Sequence, residues 1–142
     1  MADTSSEQAP YLAMAFFCER VDEDERGLKT FVNAIDTLGF KLDGDESLSS
    51  KVWSGVIAME ITFGDHKGPI AIQMNQVELA NGNEVVGLDH SIDTNDYDGM
   101  LAFSLTVNFR IAFEREGDYR YDFFLNGVKR GETALRVRAV RD

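Results

Sequence analysis

The sequence predicts an all-β fold, an antiparallel β-sandwich of about eight strands, on three observations. First, Leu101 to Phe113 is large and apolar at every odd position, while the even positions read Ala102, Ser104, Thr106, Asn108, Arg110 and Ala112. Successive strand side chains point to opposite faces, so strict period two means one buried face and one wet face. A helix would scatter those residues around its circumference. Second, Lys51 to Phe63 repeats the pattern, with Trp53, Ile57, Met59, Ile61 and Phe63 on one face and Gly55 in the gap. Third, turn chemistry separates the apolar segments throughout, and no segment is a convincing amphipathic helix. Two long strands with bulky inner faces can supply facing walls, which favours a sandwich over a barrel.

The elements follow in order. Residues 1–9 are small and polar and read as a disordered leader, with one domain over 10–142. Tyr11 to Arg20 is apolar on both faces, which suits a strand covered on both sides or one at an edge of the core. A charged turn, DEDERG at 22–27, leads to a returning strand at Leu28 to Asp36, for which a short helix over Leu28 to Leu38 is the one rival. Gly39 to Ser50 reads as a polar loop. Gly55 inside the next strand marks a bulge or a close backbone approach. After GDHKGP at 64–69, Ile70, Ile72 and Met74 face inward. Asn81-Gly82 predicts a type I′ hairpin, because both residues tolerate the positive φ that turn needs. Glu84 to Asp89 returns, and His90 to Gly99 reads as a loop into the long strand. Tyr119, Tyr121, Phe123 and Leu125 then share a face. A second type I′ hairpin is expected at Asn126-Gly127, and Leu135, Val137 and Ala139 alternate with Arg136 and Arg138 in the last strand.

Composition narrows the function classes. The formal net charge of −11 disfavours a nucleic-acid partner, whose backbone rewards a basic surface. The charge is uneven: residues 1–109 hold 19 acids against 6 bases, and 110–142 hold 6 against 8. An acidic body and a slightly basic final section would suit a homo-oligomer, although soluble proteins are often simply acidic. One cysteine, Cys18, excludes an internal disulfide. No secretory signal opens the chain, and no apolar run approaches the roughly 18 residues of a membrane helix. The expected setting is therefore cytoplasmic, with no membrane partner.

Two end segments resemble a known family. The opening strand with FFCERV at 16–21, an acidic turn and GLKTFVNAID at 27–36, together with the closing segment EREGDYRYDFFLNGVKRGETALRV at 114–137, resemble uncharacterised bacterial domains with an immunoglobulin-like β-sandwich. The resemblance implies the fold and lends no catalytic residue.

If consecutive strands are antiparallel, alternate loops share one end of the sandwich. Counting eight strands, that end collects Asp22, Glu23, Asp24, Glu25, Asp65, His66, Asp89, His90, Asp93, Asn95, Asp96 and Asp98, with the Asn126-Gly127 turn. Carboxylates crowded at loop tips suit calcium, which takes six to eight oxygens, so Asp93, Asn95, Asp96, Asp98, Asp22 and Asp24 are the candidate ligands. The run D-T-N-D-Y-D-G at 93–99 nevertheless departs from an EF-hand, because Tyr97 stands where the third oxygen ligand belongs and Asp98 where glycine belongs. His66 and His90 lack the framing of a zinc site. Cys18, alternating with Met14 and Phe16, reads as a buried hydrophobe, not a nucleophile.

Trp53, Tyr119, Tyr121 and Phe124 could form a sugar-stacking platform, but the first three share the parity of the core. Phe124 points the other way and is an interface candidate, as are Arg136 and Arg138. Tyr119, just after a turn, suits a tyrosine corner. The function expected is a non-enzymatic interaction or accessory module for an unidentified protein partner, engaged by loops or an open sheet edge, with no resident cofactor. The alternative is a module that binds calcium or carbohydrate at the acidic loops.

Overall fold

The computed structural model describes residues 9–141, so all but the last residue of the expected leader lies outside the described residues. Among the described residues nine strands form two sheets: β1 (Tyr11–Glu23), β2 (Lys29–Ile35), β3 (Thr37–Leu42), β4 (Val52–Thr62), β5 (Pro69–Glu78), β6 (Glu84–Asp93), β7 (Ala102–Ala112), β8 (Gly117–Leu125) and β9 (Val128–Arg141). One sheet runs β2-β1-β4-β7 and the other β3-β9-β8-β5-β6. Every pairing is antiparallel except β3 with β9, which is parallel. The β-sandwich is thus as expected, with one more strand. Its β9-β8-β5-β6 run, and the repeated passage of the chain between sheets, give it the immunoglobulin-like arrangement.

The missed strand is β3. Its six residues sit inside a stretch whose later part, DGDESLSS, is all turn chemistry, and its partner β9 lies almost a hundred positions away in sequence. A lone short strand docking in parallel leaves no local signature, because its stability comes from tertiary contact. The rival helix at 28–38 does not form. The segment is β2 and the start of β3, broken at Asp36. His90 also lies within β6, so the expected loop begins only at a 3₁₀ turn, Thr94–Tyr97.

The core is the space between the sheets. Phe17 from β1 and Ile57, Met59 and Ile61 from β4 face Ile70, Ile72 and Met74 from β5, and Tyr121, Phe123, Leu125, Leu135 and Val137 from β8 and β9, all essentially inaccessible. Phe17 is the aromatic centre. Its ring meets Tyr121 at 4.7 Å across the sandwich, Phe109 at 5.7 Å and Trp53 at 5.9 Å. β1 and β4 are the middle strands of their sheet, so even their outward residues Cys18, Val56 and Ala58 are buried by neighbours.

Two turns show how sequence sets geometry. Asn126 and Gly127 have φ of 50° and 78°, the pair of positive values that a type I′ hairpin requires. At Asn81-Gly82 only Gly82 is positive, at 73°, and the loop spans 79–83, closed by Glu78 N–H to the Asn83 carbonyl at 2.9 Å. The hairpin is there, but not as type I′.

Tyr119 makes the tyrosine corner: its hydroxyl donates to the Arg115 carbonyl at 2.6 Å, pinning the β7–β8 turn to the core. Burial raises the pKa of this phenol. Tyr119→Phe removes the donor from a partly buried carbonyl, so we expect a loss of about 1 kcal/mol. Thermal denaturation should show Tm lower by about 4 °C. An unchanged Tm would mean the corner contributes nothing.

Candidate functional site

Strand direction decides which loops meet. β1 and β7 run one way and β4 the other, with Glu23 opposite Lys29 at one end of the sandwich and Tyr11 opposite Thr62 at the far end. Loops 24–28, 43–51, 79–83 and 113–116 therefore share one end, and loops 63–68, 94–101 and 126–127 the other. This corrects the single acidic pole. The extra strand β3 shifts the parity of every loop after it, so Asp22 and Asp24 stand at the opposite end from Asp93, Asn95, Asp96 and Asp98.

The acids also have local partners. Asp22 lies 3.2 Å from Arg20, and Asp24 pairs with Arg26 at 2.8 Å while accepting from Leu28 N–H at 3.0 Å. Those bonds hold the Asp24 carboxyl below its ordinary pKa, the Arg26 bond being the largest cause. Asp93 caps the 3₁₀ turn by accepting from Asn95 N–H at 2.9 Å. Among the described residues no three His, Cys, Asp or Glu side chains are grouped to hold a metal ion. His66 sits in the turn after β4, with Nε2 2.9 Å from the Pro69 carbonyl oxygen, whereas His90 pairs with Ile72 in the sheet.

Cys18 is fully buried, 3.6 Å from the Arg20 carbonyl, and burial pushes its thiol pKa up. Both facts oppose a reactive thiolate. Trp53, Tyr119 and Tyr121 belong to the core or its margin, as their parity indicates. The Tyr121 hydroxyl donates to Gln76 Oε1 at 2.8 Å, and burial raises its pKa strongly.

The outer face of the five-stranded sheet carries Phe124, half-buried between Gln73 and Lys129, with Arg136 and Arg138 exposed further along. Arg136 is already engaged by Asp118, Nε to Oδ1 at 2.7 Å. The unexpected member of this face is Asp122, only 4% exposed. Its carboxylate takes two bonds from Arg120, at 2.7 and 3.0 Å, and one ion pair from Lys129 at 3.1 Å. Glu132 closes the network at 3.5 Å from Arg120 and 3.7 Å from Lys129. Burial works to raise the Asp122 pKa, but the bonds from Arg120 and Lys129 outweigh it and the net shift is downward. The sequence pattern does not single Asp122 out: its cover comes from Arg120, two positions back on the same strand face, and from Lys129 across the β8–β9 hairpin, and which of β8's polar residues they close over is set by that pairing.

A lowered folded pKa means the unfolded chain binds more protons below about pH 4, so stability from Asp122 is present above that point and lost as pH falls through the folded value. Asp122→Asn should cost about 2 kcal/mol at pH 7, discounted because Arg120 and Lys129 are about a third exposed or more. Denaturant titrations should show the gap between wild type and variant closing below about pH 4. A gap independent of pH would refute the charge assignment.

Sheet edges are the other functional surface, since each presents unpaired backbone groups. Three of the four are interrupted. β2 holds Asn33 at φ 56°, β3 has six residues, and β6 bulges at Gly87 and carries Glu84, Asp89 and Asp93. β7 differs. It pairs with β4 through eleven consecutive positions, Val52–Ala112 to Thr62–Ala102, with no register shift. It contains no proline or glycine and one charge, Arg110. Its inward residues Phe103, Val107, Phe109 and Ile111 are only partly covered, and Thr106, Asn108 and Arg110 on its other face are exposed. The period-two pattern made this strand the most legible in the chain and set it as a wall facing the other long strand; the structure instead pairs the two side by side in one sheet, with β7 at the rim. Alternation reports which face is buried and says nothing of how many neighbours a strand has.

No family model matches the chain, so the resemblance of its end segments stops at the fold. Among solved structures, it is similar to the sensor domain of an anti-sigma factor of Pseudobacteroides cellulosolvens, at 15% identity over 68% of this chain and 88% of that one, with a TM-score of 0.44. It is also similar to an immunoglobulin-like protein from Pseudomonas aeruginosa, at 13% identity over 89% and 93%, with a TM-score of 0.37. A third is the Pseudomonas fluorescens alkylpurine DNA glycosylase bound to DNA containing an abasic site analog, at 9% identity over 73% of this chain and a TM-score of 0.44; the chain spans 28% of that protein's length. None of these likenesses bears on function, and the sandwich stands on the chain's own strand order.

Proposed function

We propose that the protein is a non-catalytic interaction module that engages a protein partner by strand addition at the free edge of β7. The observation that carries this reading is the unbroken eleven-residue edge, without the bulges, prolines and carboxylates that blunt an idle edge. An added strand would bond to the outward N–H and C=O groups of every second β7 residue and cover the half-exposed Val107, Phe109 and Ile111. Phe124, Arg136 and Arg138 lie on the other sheet and would be a separate surface.

The test compares tagged wild type with two variants in affinity capture from the protein's own source. Thr106→Lys with Asn108→Lys places cations on the exposed face of β7, and Phe124→Ser alters the other sheet. Strand addition at β7 predicts that a wild-type partner is lost with the first variant and kept with the second. Loss only with Phe124→Ser, or capture indifferent to the β7 charges, would contradict the reading.

A further inference from the structure

The β7 edge is self-complementary, and we infer that the strand it accepts is β7 of a second copy, paired antiparallel about a two-fold axis at Val107. This rests on the strand-addition reading and names its partner. In that register position i faces 214 minus i, so Val107 meets itself, Leu105 faces Phe109, and Phe103 faces Ile111. The other face pairs Thr106 with Asn108 and Ser104 with Arg110. Each apolar residue meets an apolar one, each polar residue a polar one, and no like charges oppose. A shift by one residue would set the buried row of one copy against the wet row of the other.

Charge supports the same pairing. Within each copy Ser104 lies beside Glu60 of β4, and strands are spaced about 4.8 Å apart. Arg110, the one charge on the edge, would therefore reach over the small Ser104 of the second copy toward that copy's Glu60, and symmetry makes the contact twice. Two chains of net charge −11 repel overall, and the β7 edge, whose one charge is Arg110, brings no carboxylate of its own to that repulsion. A two-fold contact of one strand with itself is also closed: it uses both free edges and leaves none for a third copy.

Sedimentation equilibrium over a dilution series tests this. Wild type should give twice the monomer mass at the highest concentrations and dissociate on dilution. Thr106→Lys with Asn108→Lys sets Lys against Lys at two symmetric positions, and the dimer should weaken by about tenfold or more. Thr106→Glu with Asn108→Lys sets Glu against Lys in this register alone and should restore it. All four positions changed in the dimer are exposed, so folding is not at stake; circular dichroism confirms it. A monomeric wild type would overturn the second-copy inference while leaving edge-dependent capture of another protein to stand. A dimer indifferent to both double variants would overturn the second-copy inference, and the β7 reading falls with it only if affinity capture is indifferent to the same charges.

Discussion

Phe17→Ala should lower stability by about 3 to 5 kcal/mol, the largest single effect we expect in the chain. Phe17 is wholly inaccessible and lies at the middle of β1, itself the second strand of its sheet. The ring packs against β4 through Trp53, against β7 through Phe109, and across the sandwich against β8 through Tyr121. Truncation therefore removes its transfer free energy and opens a cavity walled by three other strands drawn from both sheets. Such walls collapse poorly, because each is fixed by its own ladder of backbone bonds. Urea denaturation measures the loss. A value under about 1 kcal/mol would mean that the sheets re-pack and that Phe17 is not the centre of the core.

Gly55→Ala is the second, and it acts by overfilling. A Cβ at Gly55 would overlap the Trp53 ring and come within 2.8 Å of the Cys18 carbonyl oxygen. The ring can swing away only by giving up its edge-to-face contact with Phe17, and the carbonyl belongs to the central β1 strand. We expect a loss of about 2 to 3 kcal/mol. Trp53 is the single tryptophan, so its emission reports the event directly: a red shift in the folded variant marks an indole displaced toward water. Full stability with unchanged emission would refute the close approach.

Gly55 also shows what a sequence can disclose. Glycine inside a strongly apolar strand announced a bulge or a near neighbour, and the structure shows the neighbour, two residues away on the same face. The tyrosine corner and the Asn126-Gly127 hairpin were legible for the same reason, since each depends on residues a few positions apart. What was not legible depends on distant chain. β3 exists because β9 offers it an edge, and the two groups of acids separate because β3 reverses the loop count. The exposure of the β7 edge belongs to this second kind. Leu101 to Phe113 carries the clearest pattern in the sequence, yet only the sheet order shows that nothing among the described residues pairs beyond it.

Backbone amide exchange across Ala102–Ala112, read residue by residue in the free chain and in its complex, tests the use of that edge most directly. Strand addition predicts that amides bonded to β4 are protected in both states, while every second amide, free at the edge, exchanges fast alone and becomes protected in the complex. Protection appearing on β2, β3 or β6 instead, or none on β7, would contradict it.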